Sequence, residues 1–158
     1  YPMRPSVRLR TQNLDLGDFS ELANSALSKE WVLAEWLMAL NPQATLRELI
    51  ASYTPSLGLA WWGDAKEVQL SAYRGSPGVI NAGAEIYGDS NHIGIRVQGD
   101  DVTMNFPTVF SEALEFDAVS GDLLLFFGQG YASVRGSKIK AIDGETHIAG
   151  GFATSRPE

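Results

Sequence analysis

Histidine and carboxylate side chains are the residues of this chain whose chemistry could support catalysis or metal binding. The chain has two histidines, His92 and His147, and no cysteine. His92 follows Glu85 and Asp89 closely enough to form a hydrogen-bonded acid–base pair, and it is a candidate catalytic residue. The alternative is a loop histidine with purely local hydrogen bonds. Because the two imidazoles do not share a short metal-binding spacing, we expect no metal site and no zinc.

Carboxylates recur in close pairs along the chain. Such pairs could perform glycosidase-type chemistry or bind a hard cation, but in an acidic chain most of them are expected to be solvated. The pairs are Asp64 with Glu67, Asp100 with Asp101, and Glu112 with Glu115 and Asp117. No nucleophilic serine motif and no glycine-rich phosphate loop accompanies them, so no cofactor is predicted.

Adjacent aromatic residues give the more useful indication of a binding site. Trp61–Trp62 and Phe126–Phe127 would place their rings on opposite faces of a strand. One ring of each pair is expected in the core, and the other would face a pocket, a partner or solvent. The alternative is that these rings only cover the ends of the fold. The predicted ligand-binding residues are Trp62, Tyr73, Arg74, Phe127 and Tyr131, and Arg74 is also a weak catalytic candidate.

Charge and hydropathy restrict the classes of partner. The net charge of -7 argues against a protein that binds nucleic acid through its phosphates. One basic segment departs from this balance, with Arg4, Arg8 and Arg10 before the first acid. It could be an arm used for self-association, or an edge strand with solvated arginines.

No apolar run reaches the roughly 18 to 20 residues that a membrane helix needs, so no membrane partner is expected. The start of the sequence does not resemble a signal peptide. Together with the lack of cysteine, this favours a soluble protein of the cytoplasm.

The pattern of apolar residues predicts mostly β-structure after an irregular start. Residues 5–11 alternate as a strand does, and residues 31–40 fit either a buried helix or strands. Thr45 and Glu48 form a capping box, which predicts a helix over 45–53. Short β-type segments follow up to residue 152, with the clearest hairpin turns at 97–102 and 141–146. The apolar run 123–127 predicts a central strand that is buried on both faces.

These segments resemble the cyclophilin-like superfamily, in its short bacterial and archaeal domains rather than the true prolyl isomerases. The stretches that carry the resemblance are residues 36–42 with 45–50, the Trp-Gly-Asp turn within 59–68, the Leu-Phe-Phe-Gly segment ending at 128, and residues 137–139 with 148–152. The resemblance implies a closed or nearly closed antiparallel barrel. The arginine, phenylalanine and glutamine run of the proline pocket is absent, so no prolyl isomerase activity is expected.

The sequence therefore predicts one α+β domain over 1–158, with an N-terminal extension over 1–35 and a cyclophilin-like barrel over 36–153. Its predicted function is to bind a small ligand or an extended peptide in an aromatic-lined cleft. Two alternatives stay open. One is an enzyme on the same scaffold, and the other is an assembly protein that uses the arginine-rich arm.

Overall fold

The fold was analysed in a computed structural model. It describes residues 6–15, 39, 41–73, 77–89, 91–128 and 131–157, with the backbone alone for residues 127, 128, 131, 132 and 154–157. Apart from the single helical residue Ala39, every element that these residues form is a β-strand. The strands are β1 (Val7–Asp15), β2 (Gln43–Thr54), β3 (Gly58–Leu70), β4 (Gly78–Asp89), β5 (His92–Asn105), β6 (Leu114–Gly128), β7 (Tyr131–Asp143) and β8 (Thr146–Pro157).

The eight strands form one antiparallel sheet in the order of the chain, from β1 to β8. Within the described residues, each strand pairs only with its neighbours in sequence, so β1 and β8 are the two edges of this sheet. The prediction of a closed or nearly closed barrel is therefore wrong, because closure would require β1 to pair with β8. The α+β class is wrong as well. Among the described residues, no helix has the length and apolar character needed to cross a membrane.

The predicted helix over 45–53 is part of β2, which pairs with β1 on one side and with β3 on the other. A register shift between Leu46 and Glu48 explains the error. The extra residue of such a bulge changes the alternation, so Leu46 and Leu49 pack in the same cluster although they are three residues apart. Within the sequence, that spacing imitates the face of a helix.

The predicted hairpin at 97–102 also lies inside a strand. Asp101 has a φ of 53° and occupies an irregular part of β5, opposite Asn81 of β4 with a φ of 66°. The Asn81 side-chain amide donates to the carbonyl of Asp101 at 3.3 Å. Left-handed conformations suit Asn and Asp in turns and in bulges alike. The hairpin at 141–146 is confirmed, with Asp143 paired to Thr146 across Gly144.

The register gives the sheet two faces of different character. On one face, which we call the apolar face, one row of paired residues crosses seven strands from β2 to β8. Paired residues on antiparallel strands point to the same side. The row is Leu49, Gly63, Ile86, Ile95, Leu123, Gly136 and Phe152.

The buried core lies on this apolar face. Val102 is fully buried and packs with Ala82, Phe116, Val119 and Ala141. A flat single layer would leave the outer side of each side chain in contact with solvent. The burial of Val102 therefore requires the sheet to curve towards its apolar face. Bulges, including those at Glu67 and Lys138, strengthen twist and bend strands, and they account for this curvature.

The opposite face, which we call the polar face, carries the adjacent row of paired residues, most of which are charged. The row is Gln12, Glu48, Asp64, Glu85, Arg96, Asp122 and Ser137. Arg96 binds Glu85 at 3.0 Å and Asp122 at 3.3 Å. Arg10 pairs with Glu48 at 2.6 Å, Arg47 with Asp64 at 2.7 Å, and Lys138 with Asp122 at 3.6 Å.

These pairs shift the ionisation of the arginines in the expected direction. The hydrogen bond from Arg96 to Asp122 and the charges of Asp122 and Glu85 raise the pKa of Arg96. The pKa of Arg47 is raised by its hydrogen bond to Asp64 and by that carboxylate's charge. Arg96 thus lies between the carboxylates of Glu85 and Asp122. Arg10 and Arg47 each neutralise one of the acids that are paired directly on β2 and β3.

We predict that Val102→Ala lowers the free energy of unfolding by about 2 kcal/mol, because it removes two fully buried methyl groups. Val109→Ala is the matched control, since Val109 is 70% exposed, and its effect should stay within about 0.5 kcal/mol. Chemical denaturation of both variants measures the difference. Equal effects would contradict the placement of the core.

A second prediction concerns Arg96, which links the carboxylates of β4 and β6. Arg96→Gln should lower the denaturation midpoint more in about 0.05 M salt than in about 1 M salt, because salt screens the repulsion between Glu85 and Asp122. A loss that does not change with salt would mean that the alkyl chain of Arg96, rather than its charge, stabilises the sheet.

Candidate functional site

The apolar face continues beyond its buried core to both edges of the sheet. Val7 of β1 pairs with Tyr53 of β2, and Tyr53 pairs with Leu59 of β3. These three side chains are 60%, 50% and 43% exposed. On the neighbouring row, Leu9 is 68% exposed. At the other edge, Phe152 of β8 is half exposed.

The middle of the same face is partly covered by its own side chains. Ile86, Ile95 and Leu123 are half-buried at the centre of the apolar row. Ile86 packs closely over Gly63, where an added Cβ atom would lie 3.2 Å from the Ile86 side chain. The ring of Phe152 covers Gly136 from the next strand. We call this apolar strip, which is half-buried at its centre and more exposed towards its two edges, the groove.

The sheet positions the aromatic pairs on its two faces as the alternation predicts. Trp61 pairs with Gly88 and belongs to the apolar face, where its ring covers that glycine. Trp62 pairs with Ile50 and Tyr87 and belongs to the polar face. Trp62 therefore does not line the groove, and its neighbour Trp61, which was not among the predicted binding residues, does.

The other predicted binding residues are spread over both ends of the sheet. Tyr73 follows β3, at the end where β3 passes to β4. Phe127 and Tyr131 flank the β6–β7 turn, at the end where β5 begins. Arg74 lies outside the described residues. The residues expected to form one cleft are thus not brought together, since Tyr73 stands at the end of the sheet opposite Phe127 and Tyr131.

The strand of residues 123–127 lies inside the sheet as β6, between β5 and β7. Its burial on both faces is only partial. Phe126 points to the polar face and is 40% exposed, while Leu125 on the apolar face is half-buried. Leu123 and Leu125 of this segment therefore line the groove. Phe126 lies on the polar face, beside His92.

The side chains of His92 and Asp89 contact each other on the polar face, at the turn between β4 and β5. Its Nδ1 lies 2.9 Å from the carboxylate of Asp89, and its ring is 6.3 Å from that of Phe126. The same carboxylate accepts the backbone N–H groups of Asn91 at 2.8 Å and of His92 at 3.1 Å. These are the bonds of a side-chain turn that closes the connection from β4 to β5.

Those contacts lower the pKa of Asp89. The backbone hydrogen bond from Asn91 has the largest effect, burial opposes it, and the bond and charge of His92 act in the same direction as Asn91. The geometry fits the locally bonded histidine that was the alternative to a catalytic one. An acid–base role for His92 stays a prediction. Among the described residues, no three histidine or acidic side chains are grouped so as to hold a metal ion.

We predict that Asp89 titrates below the ordinary pKa of aspartate, which is about 3.9. Because the folded pKa is lowered, the stabilisation is present above the unfolded pKa and is lost as the pH falls through the folded one. Asp89→Asn should therefore destabilise the protein at neutral pH more than at a pH of about 2. Carboxyl NMR titration and denaturation at both pH values test this, and an effect independent of pH would contradict it.

Comparison with known proteins gives a family and corrects one expectation. A family model described as YhdP protein matches residues 2–158. No curated protein and no solved structure matches the chain. The resemblance to the cyclophilin-like superfamily is wrong, because the matching family is unrelated to it and because the sheet is open. Since the match spans nearly the whole sequence, the chain belongs to the YhdP protein family.

Proposed function

We propose that this protein is a binding module that holds an elongated apolar ligand in the groove of its apolar face. The observation that carries the proposal is the uninterrupted row of apolar and glycine residues across seven strands, which ends at the half-exposed Phe152 of β8. Six spacings of about 4.8 Å give this row a length of about 30 Å. A surface of this length suits an extended hydrocarbon chain better than a compact molecule.

The difference between the two faces supports the same proposal. The charged side chains of the polar face would lose their hydration on contact with an apolar ligand. An apolar ligand forms no hydrogen bonds or ion pairs that could offset this desolvation free energy. The apolar face has no such charges along its row, and large exposed apolar surfaces are typical of ligand or partner sites. The ligand is therefore expected on one face only.

An extended peptide is the second candidate, and the edge strand β1 favours it. Edge strands can add a peptide as a further strand through backbone hydrogen bonds. Val7 and Leu9 would then contact alternate side chains of the peptide. This mode would use the edge of the sheet rather than its face, so the two candidates predict different sensitive residues.

We predict that cis-parinaric acid, an elongated fluorescent fatty acid, binds more tightly than the compact dye N-phenyl-1-naphthylamine. Phe152→Glu should weaken binding of cis-parinaric acid by at least about tenfold, because a charge at the rim must be desolvated. Phe126→Glu is the matched control, since Phe126 is a similarly exposed phenylalanine on the polar face. Fluorescence titration measures each affinity.

Two outcomes would contradict the proposal. Equal losses of affinity for cis-parinaric acid in the Phe152→Glu and Phe126→Glu variants would show that the fatty acid does not discriminate between the two faces of the sheet. Displacement of the fatty acid by a peptide of alternating valine and threonine, prevented by a proline at Thr11, would favour strand addition at β1. Circular dichroism of every variant establishes that the sheet is intact.

A further inference from the structure

A surface apart from the groove lies at the end of the sheet where β5 turns into β6. Met104 and Leu114 are paired across these two strands. A tight turn of about two residues would be enough to connect strands that are paired in this way. Residues 106–113 form the connection instead. Loops longer than their closure requires are often the parts of a protein that bind partners.

This loop is held in a defined conformation by its own contacts. The carbonyl of Phe106 accepts the backbone N–H groups of Val109 and Phe110, both at 2.9 Å. The rings of Phe106 and Phe110 meet edge to face with their centres 6.2 Å apart. Val109 nevertheless remains 70% exposed and Phe110 47% exposed. We call these two exposed residues the apolar tip.

Exposed carboxylates are frequent on the strands that adjoin the loop and at the β7–β8 turn, which lies at the same end of the sheet. Within residues 100–119 and 138–147, seven exposed carboxylates accompany two lysines, and one of those, Lys138, is paired with Asp122. The carboxylates are Asp100, Asp101, Glu112, Glu115, Asp117, Asp143 and Glu145. Asp117 also accepts the N–H of Gly144 at 2.7 Å, which fixes the β7–β8 turn beside β6.

The spacing of these carboxylates indicates which kind of cationic partner they can bind. In the described part of the chain, no three of them are grouped closely enough to hold a metal ion. Carboxylates that are spread over a surface create instead a broad negative potential, which steers extended cationic partners. The same potential repels the anionic headgroups of membranes, so insertion of the apolar tip into such a bilayer is disfavoured.

We propose that the apolar tip and its acidic surroundings form a docking surface for a basic, amphipathic segment of another protein. The apolar side chains of that segment would cover Val109 and Phe110, and its lysines or arginines would face the carboxylates. This surface is independent of the groove, because the groove is lined by other residues on the apolar face.

A labelled peptide of about ten residues, with leucine and lysine in alternation, is the probe for this surface. Fluorescence anisotropy should show binding that weakens between about 0.05 M and 0.5 M salt, because salt screens the acidic field. The double variant Val109→Ser, Phe110→Ser should bind at least about tenfold more weakly, since the apolar contact contributes to the affinity. A leucine–glutamate peptide should not bind.

Leu57→Ser is the matched control, because Leu57 is an 84% exposed apolar residue in the β2–β3 turn at the opposite end of the sheet. It should leave the affinity unchanged, whereas Glu112→Gln with Glu115→Gln should lower it and reduce its salt dependence. Equal binding by the apolar-tip variant and the parent would overturn the proposal. Binding of phosphatidylserine vesicles that depends on Phe110 would also overturn it, in favour of a membrane.

Discussion

Pairing between consecutive strands is the interaction on which the rest of this structure depends. Each strand finds its backbone partners in the strands before and after it, and in the described part of the chain no second layer of strands covers the sheet. A single antiparallel layer can bury apolar side chains only where it curves. The fold therefore has to create its interior from one face of one sheet.

The bulges provide the necessary curvature, and they explain where the core lies. Asn81 and Asp101 face each other across β4 and β5, next to the fully buried Val102. A side chain at Gly99 would come within 2.7 Å of Val102, so the absence of a side chain there allows the strand to close on its own core. The irregular positions of the strands are thus necessary features of the fold.

The same geometry separates the functions of the two faces. Curvature brings the side chains of the apolar face together at its centre and leaves its rims open, which produces a groove rather than a closed cavity. On the convex side, side chains diverge, and ion pairs such as Arg96 with Glu85 remain solvated. Solvated pairs contribute little to stability. In the row itself, Arg96 stands between Glu85 and Asp122, whereas the acids of β2, β3 and β4 are paired directly across adjacent strands.

The sequence by itself determined the β-rich character of the chain after residue 55, the strand β1, which was predicted in residues 5–11 and spans Val7–Asp15, and the hairpin at 141–146. Local alternation and turn residues carry that information. It also determined that Trp61 and Trp62 lie on opposite faces, because side chains alternate along any strand. It did not determine which of the two rings lines the groove, since that depends on the register with β4.

Only the tertiary structure decided between a helix and a strand in residues 45–53, and between an open sheet and a barrel. A single extra residue at Arg47 changes the alternation of β2, and the resulting spacing of Leu46 and Leu49 is also that of a helix. The positions of the predicted cleft residues depend on the tertiary structure for a similar reason. Tyr73 and Phe127 lie at opposite ends of the sheet because strand order and direction, which no local pattern encodes, set the distance between them.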